Sequence, residues 1–145
     1  MQRPRGVNFV IGVESLIVVV VVLFWATWFL APESIQARSP DAPDYQIYVN
    51  FEQAFILADC WVAIAALIGV LGLWRMRDWG FLFSLLCGGG GIFLALMDLL
   101  YDLQHRMFVP LTSEAATELI IVVLTLSLAP ISIYLLWRHR RMFIQ

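Results

Sequence analysis

The chain has no lysine: all nine of its basic residues are arginine. It has only two cysteines, two histidines and 14% charged residues. Each shortage closes off a class of function. The Gly88–Gly91 run has neither a lysine nor a preceding strand, so it is not a phosphate-binding loop. Cys60 and Cys87 form no Cys-x-x-Cys motif, which argues against thiol redox chemistry. They are expected several turns apart in depth, too far for a disulfide. There is no Glu-x-x-His pair and no haem or chlorophyll motif; His105 lies near a helix and His139 in a basic tail. A soluble core is also excluded. At 145 residues, 61% hydrophobic and mean hydropathy +0.84, the chain is too apolar for a soluble domain of its size.

What the chain does have is four long apolar stretches, near Asn8–Leu30, Asn50–Trp74, Gly80–Leu103 and Ala116–Trp137. About 20 residues at about 1.5 Å each cross a hydrocarbon core of about 30 Å. The expected fold is therefore all-α, a single four-helix transmembrane bundle. Arg3 and Arg5 precede the first stretch as they would a signal peptide. Its apolar run is too long for that, and no small-residue cleavage site closes it, so it reads as a retained helix.

The arginines divide unevenly. Arg3, Arg5, Arg75, Arg77, Arg138, Arg140 and Arg141 fall on one side of this arrangement, and only Arg38 and Arg106 on the other. The positive-inside rule then predicts cytoplasmic termini and an integral protein of a bacterial inner or plasma membrane. Trp74, Trp79 and Trp137 form the inner aromatic belt. The outer side holds nine acids against two arginines, a formal −7; Glu14 and Asp78 against seven arginines leave the inner side at +5.

Between the spans, Ala31–Gln46 carries Pro32, Pro40 and Pro43 and is expected to be extended. The short Arg75–Trp79 turn makes the second and third helices an antiparallel hairpin. Thr112 or Ser113 is the expected N-cap of the last helix. Pro130 should kink that helix near Leu126, with Thr125 and Ser127 helping to satisfy the freed carbonyl.

Acids recur at membrane depth: Glu52, Asp59, Asp98 and Asp102. Charged groups there are costly and by default mark a functional site. Asp98, Asp102 and His105, spaced i, i+4, i+7, share one helix face. That face continues through Ala95, Gly91 and Gly88 to Ser84, small at the inner end and ionisable at the outer. The facing positions on the second helix are Glu52, Ile56, Asp59, Ala63 and Ala66. The tight turn sets Asp59 level with Ala95–Asp98 and Glu52 level with Asp102. The plainer alternative is that the glycines serve packing and the acids face loop water.

Acids this close cannot all be ionised without a counter-charge, and Arg106 is the expected nearby cation. Three chemistries fit. Asp98, Asp102, His105 and Glu52 are candidate ligands for a metal or other cation. Asp59 and Asp98 are candidates for acid–base work, with Tyr101 as a donor. Glu52, Asp59, Asp98, Tyr101, Asp102 and His105 can also line a pocket for a cationic or hydroxylated lipid-like ligand, walled by Trp61, Phe51, Phe55 and Tyr101. Glu14 is read more simply, as a glutamate near a helix start favoured by the helix dipole; a pairing with Ser84 is the other reading.

Four spans, cytoplasmic termini, a long first outer loop, acids on the second helix (Glu52, Asp59) and acids late in the third (Asp98, Asp102) together resemble the layout of EXPERA-domain proteins, the sterol isomerases and their relatives. The Gly88–Gly91 run departs from that layout. The leading expectation is a small membrane protein binding a cation or small lipid-like ligand at an outward-facing carboxylate pocket. The alternatives are an accessory subunit of a larger membrane complex and a small isomerase-like enzyme using an Asp/Glu acid–base pair. The sequence names no cofactor. The expected partners are the lipid bilayer and either other membrane subunits or further copies of the chain, with no nucleic acid.

Overall fold

The computed structural model describes residues 3–143, all helical or loop with no strand among them. Five helices are present: α1 Arg5–Leu30, α2 Tyr45–Ala54, α3 Ile56–Trp74, α4 Asp78–Gln104 and α5 Ser113–His139. With α2 and α3 counted together across a one-residue break at Phe55, four segments are long and apolar enough to cross a membrane. Each expected span is present: the helices start two to five residues earlier than expected, and the first two end at Leu30 and Trp74 as expected. α2 begins earliest relative to expectation. Its sequence, YQIYVNFEQA, is too polar to register as a span, but it buries Tyr48 and Glu52.

Packing runs in a ring, α1 on α3, α3 on α4, α4 on α5 and α5 back on α1. Antiparallel neighbours put the start of α1, the end of α5 and the Arg75–Arg77 turn at one end, the arginine-rich end. The Ala31–Asp44 and His105–Thr112 loops lie at the other, acidic end. Large apolar side chains such as Leu16, Val19, Leu23, Leu57, Phe93 and Ile120 face outward.

Both hairpin ends are closed by backbone geometry. Past α3, Met76 takes φ 52°, and the Arg77 and Met76 amides bond back to the Gly72 and Leu73 carbonyls at 2.9 and 3.0 Å. That double bond is a Schellman stop, with a methionine where glycine is usual. Past α4, Arg106 takes φ 53° and the Met107 amide reaches the Asp102 carbonyl at 2.9 Å. Met107 is thereby tucked into the core at 4% exposure. Thr112 caps α5, its Oγ1 accepting from the Ala115 amide at 3.2 Å. The first loop is not simply extended. Pro32–Ser34 forms a 3-10 turn, and the Tyr48 hydroxyl accepts from the Ala37 amide at 3.1 Å, folding the loop over the bundle.

The tightest helix approach is next to the α3–α4 turn, where a Cβ on Gly72 or Gly80 would collide with the other's backbone. The Gly88–Gly91 run does not make one seam against α3. A Cβ on Gly88 would meet Ile133 at 2.9 Å and one on Gly91 would meet Thr125 at 3.6 Å, both on α5; one on Gly90 would meet Val62 of α3 at 3.1 Å. Four successive residues point around most of a helix, so the run admits two neighbours at once.

α5 stays helical through Pro130. The Thr125 and Ser127 hydroxyls bond to the Ile121 and Val123 carbonyls, at 2.8 and 2.7 Å, and not to the Leu126 carbonyl freed by the proline. Both hydroxyls use the ordinary i−4 back-bond, so neither satisfies the carbonyl that Pro130 frees.

Candidate functional site

At the acidic end, α2, α4 and α5 bring three carboxylates together. Oxygens of Glu52, Asp98 and Glu118 all lie within 4.8 Å of one another. Asp102, one turn beyond Asp98 on α4, faces the same carboxylates. It is fully buried at 0% exposure, and neither of its oxygens has a hydrogen-bond partner among the described residues. Glu52 Oε1 and Glu118 Oε2 also lack partners. Two charges within 4.8 Å of each other repel by at least roughly 3 kcal/mol at an effective dielectric near 20. A proton or a cation must therefore sit among these groups. Helix ends sharpen the need. Asp102 lies in the last turn of α4, where the dipole disfavours an anion and where there is no basic residue.

Asp59 stands beside the cluster and not within it. Its Oδ2 accepts from Trp25 Nε1 at 3.1 Å. Asp98 neighbours Asp59, so Asp98 links the pair to the trio. Trp25, Trp28, Tyr48 and Tyr101 form a buried aromatic floor, joined to Asp59 through the Trp25 indole.

The expected residues separate as follows. Glu52, Asp98 and Asp102 gather, with Asp59 alongside. His105 does not join them: it caps α4, stacks on Tyr101 at 4.0 Å and places Nδ1 2.9 Å from the Tyr101 carbonyl. Tyr101 is held between His105 and Phe51, whose ring stacks on it at 3.7 Å. Phe55 packs on Phe51 at 4.9 Å. Trp61 is half exposed on the outer face of α3 and lines nothing here.

Three residues carry more than the sequence reading gave them. Glu118 was legible only as one of the outer acids. Its signal was symmetry: it stands five residues after the start of α5 and Asp98 six before the end of α4, similar depths on either side of one loop. The arginine that folds back onto this end is Arg38, not Arg106. Arg106 is spent on the left-handed turn and is exposed. Arg38 pairs with Asp44 and donates to the His105 carbonyl at 3.1 Å. Among the described residues Arg38–Asp44 is the one ion pair, so no guanidinium reaches the cluster.

Glu14 is the third. The helix dipole is not what places it: it is buried, 3% exposed, beside an equally buried Ser84, as in the other reading. A Cβ on Gly69 would lie 2.6 Å from Ser84 Oγ and 2.7 Å from Glu14 Oε2, so the missing side chain makes the room both occupy.

An open cleft between the first loop and the start of α5, lined by Glu33, Gln36, Arg38, Thr112 and Glu114 among others, lies outside the cluster. Glu114 precedes Glu118 by one turn, a rise of about 6 Å. Chemically the arrangement offers an all-oxygen anionic nest with an adjoining indole-bound carboxyl. No protein-family model, curated protein sequence or solved structure matches the chain.

Proposed function

We propose that the protein is an integral membrane protein, with both termini cytoplasmic, that binds a cation or a small cationic, lipid-like ligand at the carboxylate cluster near its outer face. The observation that carries this reading is the approach of Glu52, Asp98 and Glu118 to within 4.8 Å of one another without a basic partner among the described residues. Four apolar helices and the arginine asymmetry support the membrane placement. The open cleft beside Glu114 supports entry from the outer side.

The test is native mass spectrometry of the protein released from its host membrane in mild detergent, with Asp98→Asn and Asp59→Asn beside it. Extra mass on the wild type that is lost from Asp98→Asn supports the reading. Unchanged ligand content in both variants overturns it. Release with other subunits at fixed stoichiometry would instead make the chain an accessory subunit.

A second reading, an acid–base enzyme, is favoured by one observation. Asp59 has an indole donor, whereas its neighbour Asp98 sits among carboxylates. Two adjoining carboxyls in unlike surroundings are the arrangement that splits acid from base.

A further inference from the structure

We infer that the cluster is a site for one hard divalent cation, of the calcium or manganese kind, held by Glu52, Asp98 and Glu118 with Asp102 as the fourth carboxylate. This rests on the cation-binding reading above and fixes its chemical class.

Donor chemistry comes first. Among the described histidine, cysteine, aspartate and glutamate side chains, only carboxylates meet here; His105 is turned onto Tyr101, and Cys60 is exposed on α3. Without nitrogen or sulfur, zinc and copper are poorly served, and oxygen-seeking ions are favoured. Size comes next. The three oxygens lie within 4.8 Å of one another, comparable with the diameter, about 5 Å, of the oxygen shell around calcium.

Charge separates a metal ion from an organic ammonium. One amine brings a single positive charge to three or four carboxylates, whereas a divalent ion offsets twice as much. Asp102 is the independent sign. A fully buried carboxylate with two unpartnered oxygens on the cluster's side of α4 is costly unless something binds it. Helix placement also supplies rigidity, since the donors come from α2, α4 and α5 and not from a loop.

The test uses the full chain in lipid nanodiscs, stripped with EDTA and dialysed. CaCl2, MnCl2, MgCl2 and, separately, hexylammonium chloride are titrated while thermal unfolding is followed. Calcium or manganese should raise Tm saturably at one ion per chain. Glu118→Gln and Asp102→Asn should each weaken that binding by about tenfold or more, because affinity follows the ligand charge count. If hexylammonium raises Tm in an Asp98-dependent way and the divalent ions do nothing, the metal assignment is overturned and the cation-site reading stands. If neither acts, both fall. Should the variants fail to fold, Mn2+ paramagnetic resonance on the wild type decides. One bound ion displaced by calcium supports the site, and a purely aqueous signal overturns it.

Discussion

Trp25 Nε1 donates to Asp59 Oδ2 at 3.1 Å, tying α1 to α3 across 34 residues of sequence. Trp25 is 8% exposed and packs edge-on to Trp28 at 5.9 Å, so the indole cannot swing to another acceptor without unpacking the floor. Side-chain bonds between membrane helices average about 0.6 kcal/mol and reach about 1.7. This one has a carboxyl acceptor and belongs near the upper figure. A Trp25→Phe, Asp59→Ala double-mutant cycle should give a coupling of about 1–1.5 kcal/mol in detergent unfolding. Additive losses would show that the bond adds nothing.

The Gly72–Gly80 approach gives a prediction with an internal control. Backbone lies where a methyl would go at either position, and backbone cannot rotate aside. Gly72→Ala and Gly80→Ala should each cost about 2–3 kcal/mol, the upper range for overpacking. Gly89 has nothing within 4 Å of a built Cβ. Gly89→Ala should be neutral or stabilising by up to about 1 kcal/mol, because a helix gains from losing glycine's freedom. Equal effects at all three positions would contradict the packing described.

Much of this was legible in the sequence, and the gaps have physical causes. Hydropathy located all four spans because about 20 apolar residues in a row have few other uses. The 4–3 spacing put Asp98 and Asp102 on one face because helix geometry fixes it. The short Arg75–Arg77 turn allowed α3 and α4 to be registered against each other. No comparable constraint registers α5 against α4, since the intervening loop is longer, so the similar depths of Glu118 and Asp98 on either side of it were the one hint that they meet. Arg38 was hidden similarly: its position depends on a loop folding back through the Tyr48–Ala37 bond. Glu14 was misread because the dipole argument is local, while the notch that buries it belongs to Gly69, on another helix.

That notch makes Glu14 separable from Gly69. Glu14→Gln keeps the shape and can donate to Ser84, so it should change stability by less than about 0.5 kcal/mol or raise it, as expected when an unpaired buried carboxyl becomes a satisfied amide. Gly69→Ala drives a methyl into both polar groups, whose atoms lie 2.6–2.7 Å from its position, and should cost about 1–3 kcal/mol. Chemical unfolding of the two variants beside the wild type checks the order. A larger loss in Glu14→Gln than in Gly69→Ala would mean that the charge itself, and not the fit, is needed there.

Arg38 offers a prediction of opposite sign to the carboxylates. It is held by Asp44 and the His105 carbonyl, and Asp44 precedes Glu52 by two turns, or about 12 Å along the helix. At that distance in a water-like dielectric, one positive charge opposes a divalent ion by roughly 0.7 kcal/mol. Arg38→Gln should therefore tighten divalent binding by about threefold at low salt, while Glu52→Gln loosens it. The gain should fade as ionic strength approaches about 0.1 M, where the screening length falls to about 10 Å. Calorimetric titration of the Arg38→Gln protein at two salt concentrations is the measurement. Weaker binding at both would mean that Arg38 holds the mouth of the site in shape, and that its contacts to Asp44 and the end of α4 outweigh its charge.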